Sequence, residues 1–317
     1  MTRALVFAGS SFVGKHLCKL LREKNVDVIT TARRPADART IACDLTCRAD
    51  VAAAIEQTHP DWIIQCGAAT ASSAPRDQYA VHVTGALNVL KAAHEFASAA
   101  SILFFGSAAE YGVVPPEDLP VPETYPCHPT SFFGASKLAQ TQLAQAAAAT
   151  HGQRITIVRP FNIIGPGLPD HYFAAALAKR LLKQNAALEA GLTTDRTFEV
   201  HNPHATRDFI DVQDVSSAVY FILDQPPPEP GQAALFNIAT GVETSILEVA
   251  RHLCTQAGNL TPQPAGQADS RADIVRSSGD PVALTDSGWE AVIPWRASLN
   301  SLWQEALRAI PALDRVA

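Results

Sequence analysis

An α/β protein with a doubly wound parallel sheet is predicted by three features of the chain. Short apolar runs recur at Ala4 to Ala8, Val26 to Thr31, Trp62 to Cys66, Ile102 to Gly106 and Ile155 to Arg159, separated by segments long enough for helices. The runs are rich in Val and Ile and do not alternate strictly with polar residues, as expected of strands covered on both faces. The first run enters the turn Ala8-Gly-Ser-Ser-Phe-Val-Gly14, which opens a helix near Phe12. Strand, glycine turn and helix in that order is the start of a Rossmann sheet.

The remaining elements follow along the chain. Ser136 to Thr150 is rich in Ala, Leu and Gln with no internal breaker before His151-Gly152, so it reads as a helix carrying Lys137 in its first turns. After Pro166-Gly-Leu-Pro169 the pattern loses its regularity, and Asp224 to Gly231, with four prolines, is a surface loop by composition. These changes predict residues 1–165 as a dinucleotide-binding domain to which 205–240 contribute, and 166–204 with 241–310 as a smaller substrate-binding lobe. From Ile310 the chain reads as a frayed end.

Composition narrows the function classes. The 317 residues are 47% hydrophobic, enough for a large core, and the formal charge of -6 argues against nucleic acid or an anionic membrane as partner. The apolar start is too short to span a bilayer and runs into the glycine turn rather than a cleavage site, so a cytoplasmic location is expected. Cys18, Cys43, Cys47, Cys66, Cys127 and Cys254 are scattered in a chain too large to need disulfide staples and read as reduced thiols; Cys43 and Cys47 lack the further ligands of a zinc site.

The stretch Ser131-Phe-Phe-Gly-Ala-Ser-Lys137 carries the most chemistry. A tyrosine four residues before a lysine on a helix shares its face, and the ammonium lowers the phenol's pKa toward working pH. Here Phe133 keeps the ring and lacks the hydroxyl. Further motifs accompany it: Phe-Val-Gly-Lys-His-Leu17, Asp44-Leu45, Gly106-Ser-Ala-Ala-Glu-Tyr-Gly112, Arg159-Pro-Phe-Asn-Ile-Ile-Gly-Pro-Gly167 and Thr206-Arg-Asp-Phe-Ile-Asp-Val-Gln-Asp214. In that order, from about Leu5 to Trp289, they resemble the extended short-chain dehydrogenase/reductase family, whose members act on nucleotide sugars. The last two are most similar to the branch of GDP-4-keto-6-deoxymannose reductases and GDP-mannose dehydratases. Ala8 and Ser11 stand where that family usually has glycine.

The resemblance implies a role for each matching residue. Ser107, Phe133 and Lys137 take the catalytic positions, Phe133 replacing the tyrosine acid. Gly9, Ser10, Ser11, Phe12, Val13 and Gly14 form the pyrophosphate turn, Asp44 and Leu45 lie at the adenine edge, Cys66, Gly67 and Ala68 line the passage of the cofactor, and Lys137 and Pro160 face its nicotinamide end. Asn162 and Ser107 face the sugar, and Arg207, with Lys179 and Arg271 or Arg276, holds a diphosphate. Asp211 and Asp214 read as structural. NADP(H) is favoured over NAD(H), because no carboxylate follows the second strand, whereas Arg33 and Arg34, with Ser10, offer charge to a 2′-phosphate.

Departures from the pattern are informative. A dehydratase needs an Asp-Glu pair after the serine; this chain has Ala108 and Ala109, and Glu110 on a strand-like exit would face the other way. His82 stands where asparagine is common and reads as a satisfied helix histidine. The expected activity is an NADP(H)-dependent reduction of a nucleotide-diphosphate 4-keto-6-deoxy sugar by a homodimer, with the acid lost by design or naturally. An epimerase of the same family and a non-catalytic nucleotide-sugar or dinucleotide sensor are the alternatives.

Overall fold

The computed structural model describes residues 1–317 except 36, 68, 259, 266–273 and 310–317. In chain order it runs β1 (Arg3–Phe7), α1 (Phe12–Glu23), β2 (Asp27–Ala32), β3 (Thr40–Ala42), α2 (Arg48–Thr58), β4 (Trp62–Gln65), α3 (Pro75–Tyr79), a π-helical turn (Ala80–Thr84), α4 (Gly85–Phe96), β5 (Ser101–Phe105), α5 (Phe132–His151) and β6 (Arg154–Pro160). There follow β7 (Asn162–Ile164), α6 (Phe173–Glu189), β8 (Thr197–Val200), β9 (Thr206–Asp211), α7 (Val212–Asp224), β10 (Ala234–Ile238), β11 (Glu243–Ser245), α8 (Ile246–Gln256), β12 (Thr261–Pro264), α9 (Val282–Asp286) and α10 (Trp295–Ala309).

Seven strands form a sheet in the order β10-β6-β5-β4-β1-β2-β3, every ladder parallel. This is the predicted doubly wound Rossmann sheet. Along β1, Ala4 and Val6 enter the core under α1 and α7, while Leu5 and Phe7 enter the opposite core under α2, α4 and α5. Both faces are therefore buried, which is why the strand shows no polar alternation. The edge strands β3 and β10 escaped the sequence reading because they bury too little to need an apolar run: two of three residues in β3 and three of five in β10 are only half-buried, the third of β3 being exposed.

A further core gathers α6, α8 and α10 with β8 and β9. β9 is the middle strand of a second, three-stranded sheet, pairing with β7 in parallel and β11 antiparallel. Successive side chains of β9 diverge, Phe209 into the α6/α8/α10 core and Ile210 into the α1/α7 core. Just ahead of them, the fully buried Asp208 carboxylate accepts from Thr240 N at 3.0 Å, Thr240 Oγ1 at 2.6 Å, Gly241 N at 2.9 Å and Gly279 N at 3.3 Å. Burial pushes this acid up, and those donors oppose the shift. Asp211 caps α7 by accepting the Gln213 N–H at 2.7 Å, and Asp214 accepts from Ile293 N at 2.9 Å, the structural roles expected of both.

The turn after β1 carries strain. Ala8 has φ 56°, in the left-handed region where a Cβ is penalised. Gly9 and Gly14 are there for close approach: a Cβ on Gly9 would lie 2.6 Å from Thr30 Cγ2, and one on Gly14 2.7 Å from the Ala8 carbonyl oxygen. Ala8→Gly is therefore expected to stabilise the fold by about 1 kcal/mol, read as a higher urea midpoint at unchanged slope. An unchanged midpoint would mean the turn costs nothing at Ala8.

Candidate active site

The site forms at the carboxyl end of β5. Beyond Phe105 the chain turns through Gly106 and Ser107 into a short helical turn, Ala108–Glu110. Ser107 Oγ accepts the Ala109 N–H at 3.1 Å, and the Glu110 side chain folds back so that Oε1 accepts the Ser107 N–H at 2.9 Å. This reciprocal capping box corrects the expectation for Glu110: the exit is helical, not strand-like, and the carboxylate curls beneath Ser107. Glycine at 106 makes the fold-back possible, since a Cβ there would lie 2.4 Å from Glu110 Oε1. Among the described residues the Ser107 hydroxyl accepts within the turn and donates to no other group, which leaves its proton for an outside acceptor.

Helix α5 begins at Phe132, four residues earlier than predicted, because Ser131 caps it by accepting the Gly134 N–H at 3.0 Å. Phe133 thus lies in the first turn and Lys137 one turn on, on the same face. The first turn presses on the Ser107 turn: a Cβ on Gly134 would sit 2.3 Å from the Ala109 oxygen. Lys137 is 2% exposed; its Nζ donates to the Phe105 carbonyl at 2.6 Å, which Gln140 Nε2 also reaches at 3.0 Å. Burial pushes the lysine down to about 8, while the negative charge of Glu110 opposes the shift.

Against Phe133 packs His82, ring centroids 5.6 Å apart and nearly perpendicular at 79°. His82 is fully buried on the π-turn that precedes α4. Its Nδ1 pairs with Ser136 Oγ at 2.8 Å, the buried partner on α5 that holds this histidine in place. Burial drives the imidazole down to about 2, the Lys137 charge adding to the effect and the Ala69 backbone opposing it. It is a neutral neighbour of the ring.

The expected cofactor residues line one edge of the sheet. Ser11 Oγ caps α1 through Gly14 N at 3.1 Å, and the first turn contains no acidic residue. The amides at Phe12 and Val13 and the positive end of the helix therefore suit a pyrophosphate. Ser10, Arg33 and Arg34 are exposed at the ends of β1 and β2, and neither arginine forms an ion pair among the described residues. Asp44 is held low by hydrogen bonds from the Thr46 N–H and hydroxyl, with Arg33 adding to them. Gly67 is pressed on Leu45, and Cys66 is buried beside it. Ala68 lies outside the described residues.

The residues expected to hold substrate are spread around β6, β7 and β9. Pro160 ends β6 and Asn162, exposed, begins β7. Arg207, half-buried on β9, donates from Nη1 to the Thr206 carbonyl at 2.8 Å. Arg276 forms a two-armed pair with Glu243, at 2.9 and 2.6 Å, and Glu243 belongs to the strand paired with β9. Lys179 on α6 pairs with Asp170. Arg276 and Lys179 are thus already neutralised by partners, whereas Arg271 lies outside the described residues.

Sequence reasoning missed a buried polar network beneath these residues. Glu110 Oε2 accepts from Thr141 Oγ1 at 3.0 Å and from Arg159 Nε and Nη2 at 2.9 Å each. Arg159 lies over the Tyr111 ring at 4.7 Å, and the Tyr111 hydroxyl donates to Asn237 Oδ1 at 2.7 Å. An arginine inside an otherwise apolar strand, paired with a glutamate after a glycine, was the available signal.

A parallel Rossmann sheet with a glycine turn after β1, and with Ser107, residue 133 and Lys137 grouped beyond β5, defines the extended short-chain dehydrogenase/reductase class. The chain belongs to the NAD-dependent epimerase/dehydratase family, whose model matches residues 4–239. It is 30% identical to the GDP-6-deoxy-D-mannose reductase of Pseudomonas aeruginosa, over 97% of this chain and 99% of that protein. It is 28% identical to the GDP-6-deoxy-D-talose 4-dehydrogenase of Aggregatibacter actinomycetemcomitans, over 89% and 90% of the two chains. Among solved structures, RMD from Pseudomonas aeruginosa complexed with NADPH superimposes with a TM-score of 0.81 at 28% identity, covering 98% of this chain and all of that one (100%). The UDP-glucose 4-epimerase of Thermus thermophilus, solved with NAD, shares the fold at 24% identity and a TM-score of 0.82, over 98% and 100% of the two chains. No helix among the described residues is long and apolar enough to cross a membrane.

Proposed function

We propose that the chain is an NADP(H)-dependent reductase of a nucleotide-diphosphate 4-keto-6-deoxy sugar whose residue 133 lacks the proton-donating hydroxyl. The observation that carries this reading is the grouping at the end of β5: Ser107 with its proton free, the Phe133 ring, and a buried Lys137 ammonium one turn away. A bound nicotinamide dinucleotide would supply the hydride. The Ser107 hydroxyl would donate a hydrogen bond to the ketone oxygen as negative charge develops there, and the Lys137 ammonium would hold the nicotinamide ribose and favour that charge. Ala108 and Ala109 offer no acid or base for dehydration. The 30% identical GDP-6-deoxy-D-mannose reductase supports the substrate class, and the NADPH complex of RMD supports the cofactor. The homodimer and the division into 1–165 with 205–240, and 166–204 with 241–310, belong to the same reading. Phe133 itself favours a second one, a nucleotide-sugar sensor without turnover.

Cofactor choice is tested at the end of β2. Replacing both Arg33 and Arg34 by alanine is expected to weaken NADPH by about 1.5–3 kcal/mol, the scale of a lost charge-assisted hydrogen bond, and to leave NADH unchanged. Equal affinities of the native chain for the two dinucleotides in titration calorimetry would assign the arginines another role.

Substrate class is tested at β9. Arg207→Ala is expected to weaken binding of a nucleoside diphosphate sugar by about 1–3 kcal/mol while sparing NADPH. Binding that survives this change, or that falls equally for the dinucleotide, would place the sugar elsewhere.

A further inference from the structure

Glu110 is buried beyond reach of any ligand, yet its contacts run to three elements of the site. Oε1 holds the Ser107 N–H; Oε2 holds Thr141 on α5, one turn beyond Lys137, and Arg159 on β6, next to Pro160. A side chain needed only to fill space would be apolar, because a buried ion pair repays its desolvation poorly. Each contact instead fixes a group near the reacting centre.

The surroundings of Lys137 give this arrangement a direction. Cys66 at the end of β4, His82 on the π-turn and Glu110 are the titratable groups within its electrostatic reach, and the neutral Phe105 carbonyl and Gln140 amide are its hydrogen-bond partners. His82 is neutral, and burial pushes the Cys66 thiol well up, so Cys66 is uncharged too. The carboxylate of Glu110 is then the negative charge that favours the ammonium.

We propose that Glu110 is a positioning residue: its carboxylate fixes the turn presenting the Ser107 hydroxyl and, held by Thr141 one turn beyond Lys137, supplies buried negative charge to the face of α5 that carries the ammonium. This rests on the reading of Ser107 and Lys137 as site residues. It makes the Ser107 turn and the lysine one electrostatic unit, neutralised on its far side by Arg159. Removing the charge while keeping the shape would leave the hydrogen bond to Ser107 N intact and lower the proton affinity of the lysine.

The test is a titration of the protein labelled with 13C at the lysine ε-carbons, the Lys137 signal being the one lost in Lys137→Met. The native midpoint is expected near pH 8. Glu110→Gln should lower it by about one pH unit, the shift for losing an opposite charge at close range. Should Glu110→Gln melt because Arg159 is left unpaired, the neutral pair Glu110→Gln with Arg159→Met should lower the midpoint too, by less, because the Arg159 charge that repels the ammonium is removed with the carboxylate. In a Phe133→Tyr background, Glu110→Gln should lower kcat by about tenfold with KM unchanged. A Lys137 midpoint unmoved in both variants overturns the inference, whatever the turnover. A shifted midpoint in a chain that reduces no sugar as Phe133→Tyr would overturn the reductase reading and leave Glu110 its role.

Discussion

Phe133→Tyr is expected to raise the reduction of a nucleotide-linked 4-keto sugar by roughly a hundredfold to ten-thousandfold, the usual worth of a positioned general acid. The neighbours such a phenol needs are in place. Lys137 lies one turn on along the same face of α5, and its ammonium would pull the phenol's pKa down toward neutrality. His82, the ring's edge-on neighbour, is neutral and places no second charge there. Ser107 meanwhile keeps a donor for the same oxygen. Stopped-flow oxidation of NADPH against a panel of 4-keto nucleotide sugars reads the result. A tyrosine variant no faster than the native chain across that panel would remove the reductase assignment and favour the sensor.

The second large effect is on stability. Arg159→Met should cost about 3–5 kcal/mol, because it strands the Glu110 carboxylate in a place water does not reach. Both side chains are nearly invisible to solvent, 4% and 0% exposed, so screening does little for the pair. The measurement is the urea midpoint at constant slope. Adding Glu110→Gln to Arg159→Met should recover most of the loss, since the uncompensated charge, rather than the missing attraction, is what destabilises. If the double variant is no more stable than Arg159→Met alone, packing of Arg159 over Tyr111 is the larger contribution.

Parts of this molecule could be read from the chain before its folding was known, and the reason differs from part to part. Central strands were legible because burial on both faces forces continuous apolar runs, as in Leu5, Val6 and Phe7. Lys137 was legible because a four-residue spacing on a helix is a local property. The start of α5 was misplaced since Gly134, a poor helix former, masked the capping by Ser131. Glu110 and His82 were read by the elements they were thought to occupy, a strand-like exit and an ordinary helix. A tight turn and a π-turn instead turned them inward. Their partners, Arg159 and Ser136, lie 49 and 54 residues away, beyond any local pattern.

The divergence of Phe209 and Ile210 along β9 bears on how ligands come and go. An enzyme that opens like a jaw needs a pivot where the chain passes from one rigid body to the next with little packed around it. Here that passage is a strand anchored on both sides by consecutive side chains, with Asp208 tying in the chain at Thr240, Gly241 and Gly279. Wide swinging of one part against the other would pull an aromatic or an isoleucine out of its packing. Movement at this junction is therefore expected to be confined to side chains and connecting segments rather than to a hinge.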